Sequence, residues 1–304
     1  MSPRYDLHSH TSVSDGTLSP ADLVQRARAR QVDVLAVTDH DSTAGVDGAL
    51  RAGRELGVRV VPGVEVSVTW AGQLIHMVGL GVDIESPGLQ EGLARLRRLR
   101  HERAAAIAAR LERIGIEGAL AGSAAEARGE VIGRGHFARF LVAAGHCRDV
   151  QTAFRRFLRR GRPAYVACEW ASLDEAVEWV NLAGGRAVIA HPARYRLSTR
   201  RMRALLEEFK SLGGLGIEVV SSSHSPSDID TMAAHARAFG LYASVGSDFH
   251  TPGQPWAELG ALASLPSGCE PIWQSWGGDE VPAPGNDCGD DHRRAAAHLR
   301  GTVA

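Results

Sequence analysis

The chain has 304 residues, of which 44% are hydrophobic and 23% charged; this excludes collagen-like, wholly disordered and disulfide-scaffold architectures and fits one α/β barrel carrying an insertion. No apolar run approaches the roughly 18 residues that a membrane span needs, and Met1-Ser2-Pro3-Arg4-Tyr5-Asp6 lacks a signal-peptide layout, so a cytoplasmic protein without a membrane partner is expected. A formal net charge of -1 supplies no global basic field for duplex DNA, so any anion site must be local.

Short β-branched runs alternate with helical patterns, as in parallel βα units. Strands are expected at 4–8, 33–38, 58–64 and 73–82, then at 186–190, 215–220 and 242–246. Ser19-Pro20, the capping box Ser172-Leu173-Asp174-Glu175, and Ser225-Pro226 mark helix starts between them. Met202, Leu205, Leu206, Phe209 and Leu212 form one apolar stripe, and Ile229, Met232, Ala233 and Ala236 another, each suited to cover a sheet.

The alternation stops between about residues 85 and 170. Leu93, Leu96, Arg100, Ala104, Ile107, Leu111 and Ile114 follow one helical stripe, with Arg100 expected to ride on it by its aliphatic stem. Two further helical stretches carry Phe137, Phe140, Leu141 and Ala144, then Val150, Phe154, Phe157 and Leu158. The expected domains are a discontinuous barrel, 1–84 and 171–277, a helical insertion or cap, 85–170, and a disordered tail, 278–304. Cys147, Cys168, Cys269 and Cys288 show no Cys-x-x-Cys spacing and indicate neither a zinc ribbon nor a secreted disulfide frame.

The chemistry lies where the strands end, since parallel α/β barrels gather reactive groups at their strands' C-terminal ends. His8-Ser9-His10 closes the first strand, and on an extended chain residues two apart face the same side. Thr38-Asp39-His40-Asp41 closes the second and Pro62-Gly63-Val64-Glu65 the third; Ala190-His191-Pro192 closes the fifth and Ser247-Asp248-Phe249-His250 the last, while His76 lies within the fourth. A lone histidine is usually a surface or satisfied core residue, but so many placed together would share one mouth with several carboxylates. Buried carboxylates repel one another unless cations neutralise them. Imidazole and carboxylate without thiolate suit manganese, iron or zinc.

These runs, together with Ser14-Asp15-Gly16, resemble the ordered motifs of the PHP (polymerase and histidinol phosphatase) superfamily over roughly the first 255 residues. Gly133-Arg134-Gly135-His136-Phe137, Gly161-Arg162-Pro163-Ala164-Tyr165-Val166 and His191-Pro192-Ala193-Arg194-Tyr195 are similar to its branch of 3',5'-nucleoside bisphosphate phosphatases and RNase AM-type 5'-to-3' exoribonucleases. Gly135 departs from the proline of that branch's motif. The resemblance implies a distorted (βα)7 TIM-like barrel with two or three divalent metal ions, manganese first among iron, zinc and magnesium. One ion would take His8, His10, Glu65 and Asp248, a second Glu65, His76 and His191, and a third Asp15, His40 and His250. Asp15 stands where other branches carry histidine.

Metal coordination lowers the pKa of water from 15.7 towards about 7, so the resemblance implies direct hydrolysis of the 3'-phosphate of nucleoside 3',5'-bisphosphates without a phosphoenzyme. Arg134 and Arg194 are the candidates for a second phosphate, because a guanidinium fork matches phosphate oxygens. His136 and His224 are candidates for proton donation to the leaving group or for phosphate binding. Asp39 and Asp41 flank His40 and are placed to orient ligands, Asp39 being counted among the catalytic candidates and Asp41 also suiting a helix cap. Arginines interleave with aromatics from Phe154 to Arg162; helical spacing puts Phe154, Phe157 and Leu158 in a buried stripe, and the arginines would carry short single-stranded RNA if it is a substrate. Trp256, Trp273 and Trp276 are expected in core or edge packing. The alternatives are a histidinol-phosphate phosphatase and a catalytically silent binding module, and the sequence leaves the oligomeric state open.

Overall fold

The structure, a computed structural model, describes residues 2–276. The tail expected at 278–304, with Cys288, lies outside the described residues. Seven strands form one sheet in chain order: β1 (Tyr5–Asp6), β2 (Val34–Val37), β3 (Arg59–Trp70), β4 (Gln73–Leu80), β5 (Arg186–Ile189), β6 (Gly216–Ser221) and β7 (Tyr242–Gly246). The Leu7 N–H donates to the Val245 carbonyl and the Asp248 N–H to the His8 carbonyl, each at 2.9 Å. These bonds join the last strand to the first, so the sheet nearly closes into the expected distorted barrel.

One strand runs against the expectation of parallel units. β3 continues to Trp70, six residues past the expected end at Val64, leaving only Ala71 and Gly72 before β4. Both have positive φ, 47° and 72°, as a two-residue hairpin requires. A parallel crossover needs a dozen or more residues, so β4 is antiparallel to β3 and to β5. That reversal brings the N-terminal half of β4, with His76 opposite Ser67, to the mouth where the parallel strands end.

Alternation along the strands separates the barrel's interior from its outer face. Val34 and Ala36 of β2 cluster with Leu7, Val61, Val78, Leu80, Val188 and Ile272 inside. Leu35 and Val37 instead pack with Leu23, Val24 and Ala27 of α1 (Pro20–Ala29) and with Ala49 of α2 (Val46–Leu56). Along β3 and β4 the inward positions change from Val61, Val78 and Leu80 to Glu65, Ser67 and His76, so the site rests on an apolar plug.

Three further outer helices, α7 (Leu173–Leu182), α8 (Thr199–Ser211) and α9 (Pro226–Phe239), bury their apolar stripes in the largest core cluster. Each buried Leu or Phe there is worth about 1.5–3 kcal/mol. The predicted caps form: Ser19 Oγ accepts the Asp22 N–H, Ser225 Oγ accepts the Asp228 N–H, and Ser172 and Glu175 close a reciprocal box.

The expected helical region holds α3 (Pro87–Glu112), α4 (Ala119–Glu126), α5 (Arg134–Ala143) and α6 (Val150–Ala153), followed by a π-helical turn, Phe154–Leu158. α3 is 26 residues long, or about 39 Å at 1.5 Å per residue. Leu89, Leu93 and Leu96 in its first half join the barrel core, while Ala104, Ile107, Ala108 and Leu111 form a second cluster with Phe137, Leu141, Phe157 and Leu158. Arg100 marks the joint. Its guanidinium is not carried outward on its stem: it is buried against Asp41 at 2.6 Å, because α3 crosses the loop after β2 at this point.

Candidate active site

The nine side chains expected as ligands converge. They fall into four overlapping groups: His10, Asp15, His40 and His250; His8, Glu65 and His191; His8, His10 and Asp248; and His40, Glu65 and His76. Within each group one ligand atom per residue lies within 4.8 Å of the others. Glu65 is the hub. Its Oε1 lies 2.8 Å from His76 Nδ1 and 3.0 Å from His191 Nε2, and its Oε2 lies 2.7 Å from His40 Nδ1 and 3.4 Å from His10 Nε2.

Asp248 closes the other side of the ring, with Oδ1 3.2 Å from His10 Nε2 and 3.5 Å from His8 Nε2. Asp15 lies 3.1 Å from His250 Nε2 and 3.8 Å from His40 Nε2. Backbone strain accompanies the site: His191, Asp248 and Asp41 have φ of 28°, 53° and 50°, a region that non-glycine residues seldom occupy.

The electrostatics divide the histidines of the ring into two sets. Burial pushes His10 down to about 3, aided by His250, and burial pushes His76 down to about 4. Against burial, Asp15 and Asp248 raise His250 to about 9, while Glu218, Glu65 and Asp248 raise His8. Against burial again, His76, His40 and His8 hold Glu65 well below the usual carboxylate range.

Several polar atoms of the ring are buried without a hydrogen-bond partner: Asp15 Oδ1, His40 Nδ1, Glu65 Oε2 and His191 Nδ1. His40 Nδ1 and Glu65 Oε2 lie 2.7 Å apart yet lack hydrogen-bond geometry. Buried polar atoms left unpaired are costly. Lone pairs converging on shared points, from imidazole and carboxylate alone, suit divalent metal ions.

The ring opens into a cavity of about 690 Å³, lined by five arginines, Arg100, Arg103, Arg134, Arg139 and Arg194. Arg134 is the first residue of α5, with its guanidinium 5.8 Å from the Phe154 ring centre. Arg103, unremarked in the sequence, lies 5.5 Å from the Trp170 ring centre and donates through Nε to the Val166 carbonyl at 3.1 Å. Burial and the nearby Arg134 and Arg100 lower Arg103 to about 10; burial, with Arg100 and Arg194 close by, also lowers Arg134. Guanidiniums held this close repel one another, and an anion among them would relieve the repulsion. Arg194 Nη1 donates to Asp248 Oδ2 at 2.5 Å, tying the cavity wall to the ring.

The three remaining candidates do not line this cavity. His136 caps its own helix: Nδ1 accepts the Gly133 N–H at 3.0 Å, and burial lowers it to about 4, so it is neutral near pH 7. His224 Nδ1 donates to the Val219 carbonyl at 3.0 Å, and its Nε2 is buried without a partner. Asp39 braces the loop between His10 and Asp15, accepting from the Thr11 N–H at 2.8 Å, Thr11 Oγ1 at 2.7 Å and Ser14 Oγ at 2.6 Å. Asp39 is engaged within that loop, while His136 and His224 each commit only Nδ1 to a backbone group.

The Asp41 carboxylate caps no helix and bonds no ligand side chain, although its backbone N–H donates to the Glu65 carbonyl at 2.9 Å. It accepts the Ser67 N–H at 2.7 Å and pairs with Arg100. Trp256 departs from expectation too: it is 69% exposed and lines the cavity, because it follows β7 in a short turn at the mouth. Trp273 does pack, stacking on Tyr5 with ring centres 4.0 Å apart. In the π-helical turn Phe157 and Leu158 are buried and Arg155 and Arg156 exposed, as expected, whereas Phe154 is only partly buried and reaches the cavity.

With this geometry in view, the comparisons are specific. The family model of the PHP domain matches residues 6–222. The chain belongs to the PHP domain family. It is 46% identical over 270 residues to the 3',5'-nucleoside bisphosphate phosphatase of Chromobacterium violaceum, covering 88% of this chain and 95% of that protein. It is 44% identical over 276 residues to the 5'-3' exoribonuclease Rnm of Escherichia coli, covering 90% and 93%. A solved structure of an amidohydrolase from Chromobacterium violaceum, with bound sulfate and no metal, superposes with a TM-score of 0.86 at 46% identity, over 90% of this chain and 95% of that one. Among the described residues of this PHP chain, no helix is long and apolar enough to cross a membrane.

Proposed function

We propose that this PHP protein is a metal-dependent phosphoesterase that removes the 3'-phosphate from nucleoside 3',5'-bisphosphates. The observation that carries this reading is the juxtaposition of a nine-residue imidazole and carboxylate ring, seven of whose members line the cavity, with a wall of arginines in that cavity. The relatives named for bisphosphate and RNA hydrolysis support it. His8, His10, Asp15, His40, Glu65, His76, His191, Asp248 and His250 would hold two or three divalent ions, manganese being our choice. Such ions supply a nucleophile at neutral pH and offset charge on the phosphate.

The chain's own residues supply selection. Arg134 and Arg103, both from the helical region, take the second phosphate, and each lies beside an aromatic ring that limits its movement. Arg194 orients Asp248 and faces the same anion. Residues 85–170 thus act as the insertion that chooses the substrate, on a barrel formed by 1–84 and 171–277. Release of nucleotides from the 5' end of short RNA is a second activity favoured by Arg155 and Arg156, exposed beside the cavity-lining Phe154.

Turnover of adenosine 3',5'-bisphosphate, 3'-AMP, 5'-AMP, histidinol phosphate and a 5'-phosphorylated RNA oligomer, each with manganese, magnesium or zinc, tests the proposal. The bisphosphate should be the preferred substrate among the small molecules and should yield 5'-AMP and phosphate. Preference for histidinol phosphate would overturn the assignment.

A further inference from the structure

Glu218 lies mid-strand in β6, 1% exposed, in a run that is otherwise small or apolar. Both carboxylate oxygens meet ring residues: Oε1 lies 2.7 Å from His8 Nδ1, and Oε2 accepts the His191 backbone N–H at 2.5 Å. The backbone is shaped around this carboxylate. A register shift between Glu218 and Val220 interrupts the pairing with β7, and bulges of this kind bend a strand and re-aim its side chains. Gly246 on β7 passes so close that a Cβ there would stand 2.3 Å from His8 Cβ and 3.0 Å from Glu218 Oε1. Any larger residue at 246 would push the pair apart.

We infer that Glu218 is a positioning residue for the metal centre, holding the His8 ring and the His191 backbone in the orientation that presents their ligand nitrogens. The inference rests on the metal-centre reading above and adds a residue outside the ligand set. A carboxylate can only accept, so His8 Nδ1 is the donor. His8 Nε2 is then the nitrogen presented to the ring, 3.3 Å from Glu65 Oε1 and 3.5 Å from Asp248 Oδ1. Metal-ligating histidines commonly use the second ring nitrogen in this way. At His191 the second oxygen pins a backbone whose φ of 28° is otherwise unfavourable.

Glutamine is nearly isosteric but cannot do both tasks. Its one carbonyl oxygen can accept from His8 or from His191, and its NH2 then faces the other donor. The test is zinc titration against a competing chelator for wild type and Glu218→Gln, with NMR of 15N-labelled histidine rings in the zinc-loaded wild type. We expect the wild-type His8 proton on Nδ1, protected from exchange, and zinc affinity lowered about 10- to 100-fold in the variant. A wild-type His8 proton on Nε2, or a folded variant with affinity within about twofold of wild type, overturns the inference. The wild-type ring signal requires no variant, so it decides even where Glu218→Gln does not fold. Failure of the wild type itself to bind zinc would refute the metal-centre reading instead, and the inference with it.

Discussion

Replacing Arg100 by methionine should destabilise the protein far more than an ordinary arginine replacement. Arg100 is 6% exposed and Asp41 fully buried. Arg100 Nε donates to Asp41 Oδ2 at 2.6 Å, and its Nη2 donates to Ser67 Oγ at 2.8 Å. Methionine preserves most of the stem's packing but leaves the Asp41 carboxylate buried with only its Ser67 contacts.

Breaking a buried ion pair by removing one partner typically costs about 3–5 kcal/mol. The surviving Ser67 bonds place this case near the lower end, about 3 kcal/mol. For a chain of this size that lowers the melting temperature by roughly 6–12 °C. Urea denaturation followed by circular dichroism gives the free energy. A cycle with Asp41→Asn should show a coupling of about 2 kcal/mol, since the double variant no longer strands a charge. A loss below about 1 kcal/mol for Arg100→Met, or strict additivity in the cycle, would refute the reasoning.

Arg134→Ala and Arg103→Ala should each raise KM for the bisphosphate by about 10- to 100-fold, the worth of a charge-assisted hydrogen bond. A generic aryl phosphate should hardly notice either change, and equal losses on both substrates would remove these arginines from the specificity role. His250, raised to about 9 in the metal-free ring, is protonated below that pH and must lose its proton to ligate. Metal affinity should therefore climb from pH 7 to 9 with proton release visible by calorimetry, and a flat profile would contradict this. Glu175 is lowered to about 2, chiefly by Arg95, and it also caps α7. Its stabilisation is present above its ordinary value of 4.5 and fades as pH falls towards 2. Glu175→Ala should cost about 1 kcal/mol at pH 7 and much less near pH 2, whereas an equal cost at both pH values would exclude this linkage.

What was legible in the sequence follows from which interactions are local. Strand ends and helix starts are set by nearest neighbours, so all seven strands and the caps at Ser19, Ser172 and Ser225 were readable. The ring was readable because its members sit at strand ends, and a barrel brings those ends together whatever lies between them. The direction of β4 was hidden because it depends on where β3 stops, and the apolar run through Val66 and Val68 gives no stop signal before Ala71-Gly72. For Arg100, a stripe position shows that the side chain faces inward, not which partner from 59 residues away it meets. Glu218 is signalled in the sequence only as an acid within an otherwise small or apolar strand. His136 and His224 each commit one ring nitrogen, Nδ1, to a backbone group, three and five residues away respectively, a local geometry that composition does not reveal.

Everything proposed for this protein depends on the side chains of the ring caging divalent ions inside the barrel mouth. Anomalous diffraction at the manganese edge, from crystals of the manganese-loaded protein, tests it most directly. Two or three peaks are expected inside the ring, each bounded by ligand atoms from at least three of the nine residues. Fully active protein whose manganese peaks lie only elsewhere, with the ring left metal-free, would contradict it.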